Sequence, residues 1–116
     1  MRLDEIRSLL DCEVMCGEEL LAGEVRTCFA ADLMSDVLAY GRTGDLLITG
    51  LATLQSIHTT HLAELGGILY VNSKRPSPEI VQVARGHRIP VLLTGKGLFE
   101  TCGVLWQRGL TSGSRR

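Results

Sequence analysis

The chain has 116 residues, 45% of them hydrophobic and 22% charged, with a net charge of −1, which fits one compact domain able to bury a core. A balance this close to neutral leaves no basic surface for nucleic acid or an anionic membrane, so neither is expected as a partner. No apolar stretch reaches the length of a membrane span and Met1–Asp4 begins no signal peptide, so a cytoplasmic location is expected.

In chain order, Leu3, Ile6, Leu9 and Leu10 recur at helical spacing and predict a short first helix that Asp11 ends. Cys12–Cys16 reads as a strand carrying Cys12, Val14 and Cys16 on one side. After the turn at Gly17, Val25–Ala31 reads as a second strand. Asp32 or Ser35 is expected to cap a helix that runs to Tyr40 and stops at Gly41.

Gly44–Gly50, GDLLITG, is the centre of the pattern. Its unbroken apolar run predicts a strand buried on both faces, as in parallel sheets, with Leu47 fully buried. A helix follows to about Leu65, with Leu54, Ile57, His58, His61, Leu62 and Leu65 on one face. Ile68–Val71 is the next strand. Ser77 followed by Pro78 marks the start of another helix, which runs to Gly86. Pro90–Leu93 reads as the last strand and Leu98–Arg108 as the last helix, its apolar face made by Leu98, Cys102, Leu105 and Trp106. The expected fold is α/β, a mainly parallel sheet flanked by helices in a single compact domain. Residues 111–116 read as a flexible polar tail.

Ligands bind such sheets outside the carboxyl ends of the strands. The candidates there are Thr49 and Gly50, Asn72 and Lys74, and Thr94, Gly95 and Lys96, with Asp32, Ser35 and Asp36 as further polar contacts. Small residues, two lysines and helix N-termini suit a small anion; ordinary connecting loops have the same composition. No phosphate-binding loop, dinucleotide fingerprint or nucleophile elbow occurs, and no cofactor is expected. His58 and His61 share a helix face without a third ligand, so they read as core or interface histidines, partly buried, and no metal is expected. The four cysteines lack paired ligand spacing and read as reduced packing residues. The alternative is a small enzyme that uses the His58/His61 pair or a reactive Cys102.

The opening helix with CEVMCGEEL, then FAADLMSDVLAY, GDLLITG, SPEIVQVARGHRIPVLLT and FETCGVL together resemble the DRTGG domain family. The resemblance spans Leu3 to about Leu110, so residues 1–110 are expected to form one DRTGG-like domain, as in the small stand-alone members. Gly41-Arg42-Thr43-Gly44-Asp45 comes nearest to the family's name. After the central strand, where many members carry an Asp-Arg pair, this chain has Gly50-Leu51-Ala52-Thr53.

The resemblance implies an α/β fold similar to the N-terminal domain of HPr kinase. It further implies a non-catalytic regulatory module, as in the inserts of some phosphate acetyltransferases and the CBS-domain pyrophosphatases, where the region is dimeric and responds to adenine nucleotides. The expected partners are therefore a second copy of the chain and a small anionic ligand, an adenine nucleotide or a phosphorylated metabolite; docking on a partner protein is the other form of the same reading. Apolar surface beyond the needs of one core points the same way. The dimer interface is expected in the first third of the chain or on the helix after the central strand.

Overall fold

The computed structural model describes residues 1–113. In chain order the elements are α1 (Leu3–Leu9), β1 (Glu13–Cys16), a 3-10 turn (Glu18–Leu20), β2 (Thr27–Ala30), α2 (Met34–Tyr40), β3 (Leu46–Thr49), α3 (Leu54–Leu62), β4 (Gly67–Tyr70), α4 (Pro78–Gly86), β5 (Val91–Leu93), α5 (Leu98–Gln107) and β6 (Thr111–Ser112). The six strands form one sheet in the order β1-β5-β4-β3-β2-β6. All pairs are parallel except β1 with β5. The fold is α/β, and β3, β4 and β5 are parallel neighbours.

Every residue of β3, β4 and β5 is buried, because helices cover both faces of the sheet and leave no solvated side for polar residues. Alternate side chains feed two separate cores. Leu47, Ile68, Tyr70, Val91 and Leu93 meet Met34 and Val37 of α2, Ile57 of α3 and Ala84 of α4. Leu46, Ile48, Leu69 and Leu92 meet Leu3 and Ile6 of α1 and Leu105 of α5. Leu47 has no exposed surface.

The layering follows from the handedness of parallel connections. The chain steps across the sheet from β2 to β3 to β4 to β5, and the three connecting helices α2, α3 and α4 all lie on one face. After β5 it returns to the far edge to form β6. A right-handed crossover in that reverse direction requires the opposite face, where α5 lies.

Five sequence expectations are corrected. Cys12, Val14 and Cys16 do not share a side: the β1–β5 register shifts between Val14 and Cys16. That bulge turns Cys16 into the α2–α4 core while Cys12 and Val14 pack against the other. Neither Asp32 nor Ser35 caps α2, whose N-cap is Leu33 with no side-chain cap bond; Asp32 is drawn away to β3, as described below. Pro90–Leu93 is not the last strand, since Thr111 and Ser112 pair with Thr27 and Cys28 of β2. The polar tail expected from Thr111 thus begins as sheet, and residues 114–116 lie outside the described residues.

The fourth correction concerns α3, which buries Ser56, Ile57, Thr59 and Thr60. His58 and His61 are exposed, as are Leu54 and Leu62, the latter 71% exposed. The leucines and histidines thus mark the outer side of this helix, and hydroxyl groups line most of its inner side. On α5, Leu105 is buried as expected, but Trp106 is 66% exposed.

Candidate functional site

β4 and β5 are adjacent, yet the chain leaving β4 turns to the α2–α4 face and the chain leaving β5 turns to the α1–α5 face. A crevice forms outside the carboxyl ends of two strands whose continuations diverge in this way. Here it falls between Asn72-Ser73-Lys74 and Thr94-Gly95-Lys96.

Asn72 and Ser73 both take the left-handed conformation, with φ of 56° and 55°, an arrangement non-glycine residues adopt only when their surroundings hold it. The holding contacts come from the opposite loop. The Asn72 N–H donates to the Lys96 carbonyl at 2.8 Å, and the Ser73 N–H donates to the Thr94 carbonyl at 3.0 Å. The buried Thr94 hydroxyl donates to the Leu10 carbonyl at 2.8 Å and accepts from the Lys96 N–H at 3.2 Å. The loops lie so close that a Cβ on Gly95 or Gly97 would come 3.4 Å from Ser73 Oγ or Asn72 Oδ1. Beside Thr94, Gly95 and Lys96 a hollow of about 330 Å³ opens, lined also by Leu10, Asp11 and Glu100.

Cations border this crevice. Lys96 Nζ lies 3.9 Å from Glu100 Oε2, a weak exposed pair. Lys74 is exposed and makes no ion pair among the described residues. Arg75 is committed elsewhere, its guanidinium donating to both carboxylate oxygens of Glu13 at 2.9 and 2.7 Å.

The remaining candidates sit at the same end of the sheet over β2 and β3. Asp32 Oδ1 accepts from Thr49 Oγ1 at 2.8 Å and from the Gly50 N–H at 2.9 Å. The Thr49 hydroxyl also accepts from the Leu51 N–H at 3.1 Å. Asp32 therefore clasps the end of β3 to the start of α2. Ser35 and Asp36 lie exposed on the first turn of α2. The clasp and the crevice are neighbours, since the Val71 N–H donates to the Thr49 carbonyl at 3.1 Å. All ten predicted site residues thus occur along one edge, in an acidic and a basic group. Ser73 and Gly97 were not among them; the Asn-Ser pair directly after a strand and the G-K-G spacing were the available signals.

The string Gly41-Arg42-Thr43-Gly44-Asp45 lies at the opposite end of the sheet. Asp45 is fully buried, accepts from the Thr27 hydroxyl and takes the Arg42 N–H at 2.9 Å. It closes its own loop.

His58 and His61 are exposed, and His61 stacks on His87 with ring centroids 3.9 Å apart and planes at 18°. Rings stacked so nearly parallel direct their nitrogen lone pairs along parallel planes rather than toward one ion. Among the described residues no group of three or more His, Cys, Asp or Glu side chains is placed to hold a metal. The four cysteines are free. Burial raises the pKa of every one, Cys28 to about 12 and Cys12 to about 11, with Cys16 and Cys102 moved in the same direction. The thiol rather than the nucleophilic thiolate is thereby favoured.

A family model described as "DRTGG domain" matches residues 5–107. No curated protein matches the chain. Among solved structures, the chain is similar to the CBS and DRTGG domains of the regulatory region of a Clostridium perfringens pyrophosphatase, complexed with the activator diadenosine tetraphosphate. The TM-score is 0.73 at 22% identity, covering 91% of this chain and 46% of that one. The chain thus spans about half of the structure it matches. Among the described residues, no helix is long and apolar enough to cross a membrane.

Proposed function

Because the chain belongs to the DRTGG domain family, we propose that it is a non-catalytic, ligand-sensing regulatory module that binds an adenine nucleotide or a related phosphorylated metabolite and works as a homodimer. The observation that carries this reading is the divergence of chain at the ends of β4 and β5, with Lys74 and Lys96 at its rim. The phosphates lie along Asn72, Lys74, Thr94, Gly95 and Lys96, where the two lysines and the N-terminus of α5 favour negative charge. The acidic group supplies the other half of the site. Both bonds to Asp32 go to Oδ1, so Oδ2 is free to accept from a sugar hydroxyl, with Ser35, Asp36, Thr49 and Gly50 beside it. The regulatory region named in the structural comparison, complexed with a nucleotide activator, supports the same ligand class. The four free thiols fit a reducing, cytoplasmic setting.

Sensing follows from what the clasp holds. Asp32 precedes α2 and Gly50 leads into α3, so a ligand bound at Asp32 Oδ2 acts on the residue that joins the starts of both helices. It shifts their arrangement only by its differential affinity for the two states.

The experiment is a thermal-shift series with AMP, ADP, ATP, diadenosine tetraphosphate and inorganic phosphate, alongside an assay for their turnover. A true ligand at a hundred times its dissociation constant adds about 2.7 kcal/mol of stability. Lys96→Ala is expected to weaken the shift, and no product is expected to form. A uniform lack of stabilisation defeats the ligand assignment; turnover defeats the non-catalytic one.

A further inference from the structure

Between α5 and the sheet, on the side away from α2–α4, lies a cavity of about 290 Å³. Its floor is Cys28 and Ala30 of β2 with Ile48 of β3, and its roof is Cys102, Leu105 and Trp106 of α5. The sequence leaves this space open, because Cys28, Ala30 and Cys102 are small. Along β3, β4 and β5 the same layer is filled by Leu46, Leu69 and Leu92. The cavity shares no residue with the hollow beside Thr94, Gly95 and Lys96.

Three properties of the lining select an occupant. The first is charge: among the described residues that line the cavity, none is Asp, Glu, Lys, Arg or His. The thiols of Cys28 and Cys102 are the ionisable groups there, and burial raises both pKa values, that of Cys28 to about 12. The wall is therefore uncharged at neutral pH, and a charge brought against it would lose its hydration with nothing to pair with. The second is size. An apolar cavity of about 150 Å³ takes up benzene, so this one has room for a ring system roughly twice as large. The third is surface, since sulfur atoms and an indole ring are polarisable and pack well against aromatic rings. Trp106 is 66% exposed, so its ring stands at the mouth with apolar surface for an occupant to cover.

We propose that this cavity is a binding site for a small, uncharged, fused-ring aromatic molecule. The site is distinct from the strand-end crevice and does not depend on the nucleotide reading. Its neutral wall excludes the phosphorylated ligands that the lysines of the crevice favour.

Titration of the wild-type chain with β-naphthol tests this, with β-naphthoate as the charged counterpart on the same rings. The reporter is the indole N–H resonance of Trp106, the single tryptophan of the chain. A saturable shift with β-naphthol and at least tenfold weaker binding of β-naphthoate are expected. Ala30→Leu and Cys102→Leu fill the cavity from its two walls, and each is expected to weaken β-naphthol binding at least tenfold. Far-UV circular dichroism of each variant checks that the fold persists. Phe99→Ser removes an aromatic ring of α5 that lies outside the cavity and is 93% exposed, and binding is expected to stay unchanged. A shift that never saturates, or equal binding of the two probes, overturns the proposal. Binding that survives both filling variants, or that is lost in Phe99→Ser, means adsorption to the outer surface and overturns it as well.

Discussion

Helices α3 and α4 lie side by side on one face of the sheet, and each has nine residues, yet the two are built on opposite plans. In α4, Ser77 Oγ accepts from the Ile80 N–H at 3.3 Å, Pro78 opens the helix, and Ile80, Val81 and Ala84 pack inward. In α3 no side chain caps the start, and Ser56, Thr59 and Thr60 are buried while Leu54 and Leu62 face out. The Ser56 hydroxyl donates to the Thr53 carbonyl at 2.6 Å and also meets the Tyr70 hydroxyl at 2.6 Å. Its single proton is committed to Thr53, so the Tyr70 hydroxyl donates to Ser56. Among the described residues, Thr53 Oγ1 and Thr60 Oγ1 are buried without a hydrogen-bond partner. The inner side of α3 is therefore weaker cement than that of α4, since unpaired hydroxyls cost free energy where methyl groups would contribute it. The lesson is that an apolar stripe identifies a face to be covered and does not say by what.

The core beneath both helices is common to them, and Leu47 sits in it. Leu47→Ala is expected to destabilise the fold by about 2–5 kcal/mol, a loss of transfer free energy plus the cavity left behind. Urea titration checks it. A loss well under that range would mean that the α3–α4 layer collapses into the gap, and the contrast between tight and loose packing would have to be abandoned.

A second test separates the helices. Ser56→Ala leaves the buried Tyr70 hydroxyl without its acceptor and is expected to cost about 1–3 kcal/mol, although a surface serine in a helix should gain from the same change. Alkaline unfolding reports on the same contact. Burial raises the Tyr70 pKa from 10 to about 12, so the folded state favours the neutral phenol. The sign follows: this contribution is complete below pH 10 and is lost as the pH rises from there through about 12. Tyr70→Phe is expected to flatten that part of the stability profile. A profile unchanged by the substitution sinks the account.

What could be read from the chain beforehand follows the same division. Leu46-Leu47-Ile48, Ile68-Leu69-Tyr70 and Val91-Leu92-Leu93 were legible as central strands because burial on both faces demands unbroken apolar runs. Ser77-Pro78 was legible because capping is local chemistry. The inversion of α3 was not, because periodicity gives the spacing of leucines and not the direction they turn. The bulge before Cys16 has no composition of its own. Asp32 was read as a cap because the alternative acceptor role depends on Thr49 and Gly50, seventeen and eighteen residues away in sequence. The strand-end loops were identified, whereas the crevice between β4 and β5 needed the strand order, which only the return of the chain to β6 establishes.

The smallest expected effect is at the start of α4, and it is the one most specific to the comparison. Ser77→Ala removes an acceptor for the Ile80 N–H, one of the donors that no intrahelical carbonyl can reach. N-cap losses of this kind cost about 1 kcal/mol. The equivalent position on α3 is Thr53, whose hydroxyl makes no cap bond. Thr53→Ala deletes a buried polar atom that has no partner and is expected to be neutral or slightly stabilising, the opposite sign for the same change in chemistry. Paired thermal melts of the two variants measure this directly. If Thr53→Ala costs as much as Ser77→Ala, its hydroxyl caps α3 in solution, and the two helices are alike at their starts.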